Sequence, residues 1–153
     1  MLDASNWQKG PPFDCETVED SELLNQMAEQ AERYVSSFRW APDIEQLFFA
    51  GGVPGVMALF LLRFKTCIPE QLDRELWVIV GDLPSAYFVT DNADDPPEAI
   101  EVYCGLMDDW IDAVRTNSDL NAVFPVEAAA TFRNADDLES RLRFIREQIA
   151  PVL

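Results

Sequence analysis

The chain has 153 residues, of which 48% are hydrophobic, and carries a formal net charge of −17 from 28 acidic and 11 basic side chains. The length fits one domain and is enough to bury a core that needs no metal or disulfide scaffold, and the hydrophobic share excludes a disordered chain. The charge disfavours nucleic acid and anionic membrane, which basic residues must neutralise, and favours capture of a basic protein.

Residues 1–15 read as a loose, proline-containing arm, pinned to the body by Trp7 and Phe13. The remainder, 16–153, reads as a single α+β domain. Residues 17–37 form a helix: Thr17 with Asp20 is a variant of the capping box, and Glu19, Asp20 and Glu22 lie where the helix dipole favours anions. Leu24, Met27, Ala28, Ala31, Tyr34, Val35 and Phe38 recur at three and four, which makes one apolar stripe for the core. Pro42 blocks continuation.

Residues 44–50 and 56–64 read as strands joined by Gly51-Gly52-Val53-Pro54-Gly55. Their near-continuous apolar character calls for a central strand covered on both faces, with a helix over 56–64 as the alternative. The 16 residues from Leu47 to Leu62 carry no polar side chain, but they are too few, and too broken by glycine and proline, to span a bilayer. The glycine-rich turn lacks the Gly-Lys-Ser/Thr ending of a phosphate loop. A connection over 67–75 leads to Leu-Trp-Val-Ile-Val-Gly-Asp-Leu-Pro-Ser-Ala-Tyr-Phe-Val-Thr at 76–90, two β-branched and aromatic halves around turn chemistry. Short connections throughout predict an antiparallel meander of about four strands.

Asp95, Pro96 and Glu98 open a second helix with an N-cap, a first-turn proline and an Asp-x-x-Glu box. Ala99, Ile100, Tyr103, Leu106, Met107, Trp110, Ile111 and Val114 form its buried face, and Arg115 suits its C-terminal end. Residues 116–133 are irregular: Phe124-Pro125-Val126 is an extended anchor and the alanines at 128–130 are suited to a short helical turn. A last helix over 134–150, capped by Asn134, buries Leu138, Leu142, Ile145 and Ile149, and its Arg141, Arg143 and Arg146 pair with acids such as Glu139 and Glu147. The fold class is thus α+β, with an N-terminal helix and two C-terminal helices packed on the sheet.

Chemistry is conspicuous by what is missing. There is no histidine, and therefore no imidazole base, ligand or triad member. The two lysines, Lys9 and Lys65, sit in no motif. Cys15, Cys67 and Cys104 are odd in number and form no Cys-x-x-Cys, which points to free thiols in a reducing cytoplasm. The amino terminus shows no basic segment followed by an apolar one, and so no secretory signal. The one constellation is acidic. Asp91, Asp94, Asp95, Glu98, Glu101, Asp108, Asp109 and Asp112 follow one another with no Lys or Arg between them. Crowded like charges weaken a helix, so their retention hints at use. Asp91, Asp94 and Asp95 could alternatively hold a divalent ion for a hydrolase, although the order of ligands in an EF loop is absent.

The hairpin segment 76–84, together with Tyr87-Phe88-Val89-Thr90-Asp91, resembles a family of small uncharacterised bacterial proteins over the chain from about Arg39 onward; no activity follows from that resemblance. In architecture and charge the chain is similar, as a class, to the cytoplasmic immunity proteins of contact-dependent and type VI secreted toxins. The expected function is a non-enzymatic, cytoplasmic protein-binding module that neutralises a basic toxin, with no cofactor or metal. The eight acids are the partner-binding residues, with Tyr87 as an aromatic anchor and Trp77 and Trp110 as further anchors if exposed. The competing classes are the carboxylate or metal-dependent hydrolase and a structural subunit that homo-oligomerises through the surface of residues 47–62.

Overall fold

Antiparallel pairing of five strands in sequence order organises the first part of the chain. The computed structural model describes residues 1–70 and 73–153, in two compact units, Met1–Asp94 and Asp95–Leu153. The protein is α+β, with three helices and one five-stranded sheet of order β1-β2-β3-β4-β5. Among the described residues no helix is long and apolar enough to cross a membrane.

The first unit contains β1 (Gln8–Gly10), helix α1 (Val18–Ser36), β2 (Ile44–Val53), β3 (Met57–Phe64), β4 (Glu75–Gly81) and β5 (Ala86–Val89). The meander has five strands where four were expected, and the additional one comes from the N-terminal arm. Gln8, Lys9 and Gly10 pair with Phe49, Phe48 and Leu47. Gln-Lys-Gly has little strand propensity of its own; the unpaired backbone groups along β2 supply the reason for it to extend. The arm is also fastened beyond this ladder. Phe13 is 1% exposed, and Asn25 of α1 accepts from its N–H at 2.7 Å and donates to its carbonyl at 3.0 Å. Trp7 packs on Trp77 with ring centroids 5.7 Å apart.

Helix α1 begins as its sequence dictates, with the Thr17 hydroxyl accepting from the Asp20 N–H at 3.1 Å. Its stripe of Leu24, Met27, Ala28, Ala31 and Val35 joins Leu47, Phe60, Leu62, Leu76, Val78 and Val80 in the core on one face of the sheet. Strand β2 runs three residues past the expected end, because Gly51, Gly52 and Val53 continue the ladder to Leu59, Ala58 and Met57. The turn is therefore tighter than the glycines suggest. The Val56 N–H donates to the Val53 carbonyl at 2.9 Å, with Pro54 and Gly55 (φ 81°) at the central positions, the residue order of a type II turn. Strand β3 is the central strand, and Met57 to Leu62 are all 0% exposed. In the run from Leu47 to Leu62 the β3 half, Met57 to Leu62, is fully buried, whereas Val53 and Gly55 at the turn are exposed. At the end of β4, Gly81 has φ 147° and a Cβ there would collide with the Val56 carbonyl oxygen. The connection over 67–75 includes residues 71 and 72, which lie outside the described residues.

The second unit is an antiparallel helix pair, α2 (Pro96–Arg115) and α3 (Phe132–Phe144). Asp95 caps α2 through its Oδ1, which accepts from the Glu98 N–H at 2.9 Å, as the sequence motif requires. Two corrections apply further on. The cap of α3 is Thr131, whose hydroxyl accepts from the Asn134 N–H, while the Asn134 side chain reaches back to the Ala129 carbonyl. Asn134 thus sits in the first turn and not before it. The alanines at 128–130 form no helix, since the backbone there is tied into bends through Ala128–Val126 and Thr131–Ala129 hydrogen bonds. Beyond α3 the helix widens to a π-turn over Ile145–Ile149 and closes on a 3₁₀ turn over Ala150–Val152. Pro151 explains the change: it has no N–H to offer, and its ring excludes an α-helical carbonyl four residues back.

Candidate functional site

The acidic run divides into a short stretch at the end of the first unit and one face of a helix in the second. Asp91 lies in a 3₁₀ turn, Thr90–Asn92, which is held from behind by the Thr90 hydroxyl donating to Asp73 Oδ2. Asp91 and Asp94 are exposed. Asp95 is exposed too, with one oxygen committed to capping α2.

On α2, at about 100° per residue, Glu98, Glu101, Asp109 and Asp112 fall within an arc of roughly 80°. All four are exposed. The opposite side of the same helix carries its buried residues, among them Ile100, Tyr103, Met107, Trp110 and Val114. Gly105 occupies the centre of the acidic arc, and a Cβ placed there would meet nothing within 4 Å. Glu101, Asp109 and Asp112 make no ion pair among the described residues.

Asp108 differs from its neighbours. It lies at the side of the arc, half-buried, and accepts from Arg146 at 2.8 Å. Of the arginines expected to pair with acids such as Glu139 and Glu147, Arg146 reaches elsewhere. Arg146 crosses to Asp108, and Glu139 is taken by Arg115, which donates to it at 2.7 Å and to Asp136 at 2.6 Å. Antiparallel packing places side chains distant in sequence opposite one another, and this decides the pairing over local spacing. The Arg115 hydrogen bond holds the Glu139 carboxyl below the usual range, and Glu139 and Asp136 together raise the guanidinium of Arg115. Asp108 does the same for Arg146.

The aromatic anchors separate by burial. Trp77 is 0% exposed with its indole N–H donating to the Ala93 carbonyl at 2.9 Å, and Trp110 is 3% exposed, so neither reaches a partner. Tyr87 is half-buried. It belongs to a ring cluster that sequence reasoning missed as a site. Phe38, Trp40 and Tyr34 lie 5.0, 5.1 and 6.2 Å from it, and Phe38 stacks on Trp40 at 18°. All four rings are only partly covered. Tyr34 and Phe38 were legible as the end of the α1 stripe; the signal was that the stripe runs one turn past the sheet core, where rings are left at the surface.

A second group brings basic residues together. Arg63 donates through Nε and Nη2 to Glu75 Oε2 at 3.0 and 2.8 Å, Glu75 Oε1 accepts from the Leu2 N–H at 2.8 Å, and the guanidinium lies over the Phe48 ring at 4.9 Å. Glu75 is 0% exposed. Beside it an open hollow of ≈ 440 Å³ is lined in part by Trp7, Lys9, Phe48 and Arg63. Among the described residues no three His, Cys, Asp or Glu side chains converge on a common point that could hold a metal ion, and this includes Asp91, Asp94 and Asp95. Cys15 is partly buried, Cys67 exposed and Cys104 buried.

No protein-family model matches the chain, and neither does any curated protein or solved structure.

Proposed function

We propose that the protein is a non-enzymatic binding module of the immunity type, cytoplasmic, which neutralises a basic secreted toxin by docking on it through acidic surface. The observation that carries this reading is the α2 stripe: Glu98, Glu101, Asp109 and Asp112 exposed along one arc, opposite a fully apolar one. A solvated face needs only mixed charges, whereas a single-sign stripe in a chain of charge −17 generates a field that steers a cationic partner. The first unit carries exposed acids of its own, Asp91 and Asp94. Charge sets encounter rate and register, while affinity comes from a few aromatic anchors. The first unit by itself offers candidates for such anchors in the half-covered rings of Tyr87, Phe38, Trp40 and Tyr34.

The test is capture from the native cell at low salt, a wash at high salt, and identification of the bound protein by mass spectrometry. The expected result is one stoichiometric basic polypeptide, released by salt, whose expression alone arrests growth and whose co-expression with this chain does not. It is also expected to be lost when Glu98, Glu101, Asp109 and Asp112 are all changed to Lys. A complex indifferent to both salt and charge reversal would falsify the mechanism.

A further inference from the structure

We propose that the hollow beside β1 binds a small organic monocarboxylate with a flat apolar body. Its ≈ 440 Å³ lies within the range of about 300–1,000 Å³ typical of small-ligand sites. Two of the chain's 11 basic side chains, Lys9 and Arg63, line it, although the protein as a whole repels anions. The Lys9 ammonium makes no hydrogen bond or ion pair among the described residues. Arg63 is fixed on two sides, by Glu75 at its Nε and Nη2 and by the Phe48 ring beneath it, and its Nη1 donates to nothing among the described residues. A cation held in place with unused donors is preorganised, so a carboxylate accepting from it loses little to ordering. An N⁺–H···O⁻ bond from Nη1 and a second from the Lys9 ammonium are the strong, charge-assisted kind. Trp7, only partly covered, contributes aromatic surface for the rest of the ligand.

The acids of the site limit the charge of that ligand. Glu75 already neutralises Arg63. Asp3, on the rim, is hydrogen-bonded by Ser5, which lowers its carboxyl from the ordinary value and keeps it ionised. With Glu75 set against Arg63 and Asp3 against Lys9 the site is close to neutral overall, so recognition rests on the two charge-assisted donors, which match one carboxylate, and a second negative charge on the ligand finds no further cation; this favours a monocarboxylate over phosphate. The site is independent of the proposed partner surface. Lys9, Phe48, Leu61, Trp77 and Phe88 are cross-strand partners on one face of the sheet, and Tyr87, next to Phe88, points to the other.

The experiment is an NMR titration of the full chain with phenylacetate, and in parallel with neutral phenylacetamide and with inorganic phosphate. The expected result is saturable shifts at the Trp7 indole and the Lys9 and Phe48 amides with phenylacetate, and affinity about tenfold weaker for each of the other two probes. Lys9→Met removes an exposed charge, so the thermal midpoint should hold while phenylacetate binding weakens by a similar factor. The proposal is overturned if phenylacetate gives no saturable shift, if the shifts lie away from the hollow, if phenylacetamide or phosphate binds equally well, or if Lys9→Met binds like the parent. None of these outcomes bears on capture of a basic protein.

Discussion

At the residue scale, Glu75 carries the most consequence. It is wholly buried and ionic, and it gathers the Arg63 guanidinium and the Leu2 N–H. A buried pair adds little beyond an apolar replacement of the same shape, but removing one partner strands the other charge. Glu75→Leu should therefore cost about 3 kcal/mol in urea unfolding, and the double variant with Arg63→Met should recover most of it. Failure of the second change to rescue would mean that the Leu2 tether matters more than the charge. The thiols make a second case. Burial pushes the Cys104 thiol up to about 11, and burial with Asp20 and Asp14 nearby raises Cys15. Because the thiolate is the reactive form, iodoacetamide at pH 8 should label exposed Cys67 first, Cys15 slowly and Cys104 only after denaturation, as read by intact mass.

At the element scale, the sequence signals that proved reliable were local ones. Thr17 and Asp95 cap their helices through the hydrogen bonds their motifs require. Asp95→Ala should lower stability by about 1 kcal/mol. Gly81→Ala should cost at least about 2 kcal/mol, from a backbone angle that L residues resist; a urea midpoint for each variant checks both values. Other features were decided by neighbours distant in sequence. The strand at Gln8–Gly10 exists because β2 needed a partner, and the Arg115 bridge to Asp136 and Glu139 exists because α2 and α3 run antiparallel. That bridge predicts a pH dependence. The Glu139 carboxyl is lowered in the folded state, so the unfolded chain binds more protons near its ordinary titration range and stability is lost as pH falls through it. Arg115→Met should therefore differ in urea midpoint from the parent at pH 7, and the two should converge towards pH 3.

At the scale of the whole molecule, the charge of −17 acts in opposite senses on folding and on binding. Self-repulsion destabilises the compact chain, so added salt should raise the urea midpoint of the protein alone. The same salt should weaken the complex with a basic partner by screening the acids of α2. Salt that changed neither would remove electrostatics from both accounts. The single-sign stripe was visible in the sequence as an acidic run without basic residues, yet only the helical arc showed which acids share a face and that Asp108 is set apart by Arg146.

The sequence by itself determined the α+β class, the caps of the first two helices, the apolar stripes and the central hairpin. Each of these depends on residues within a few positions of one another, where periodicity and capping chemistry act. The tertiary structure alone decided the fifth strand, the partners of the arginines, the burial of Trp77 and Trp110, the grouping of Tyr87 with Phe38 and Trp40, and the hollow between Lys9 and Arg63. These features join residues tens of positions apart, and their formation depends on which unpaired backbone groups and which charges the fold brings opposite one another.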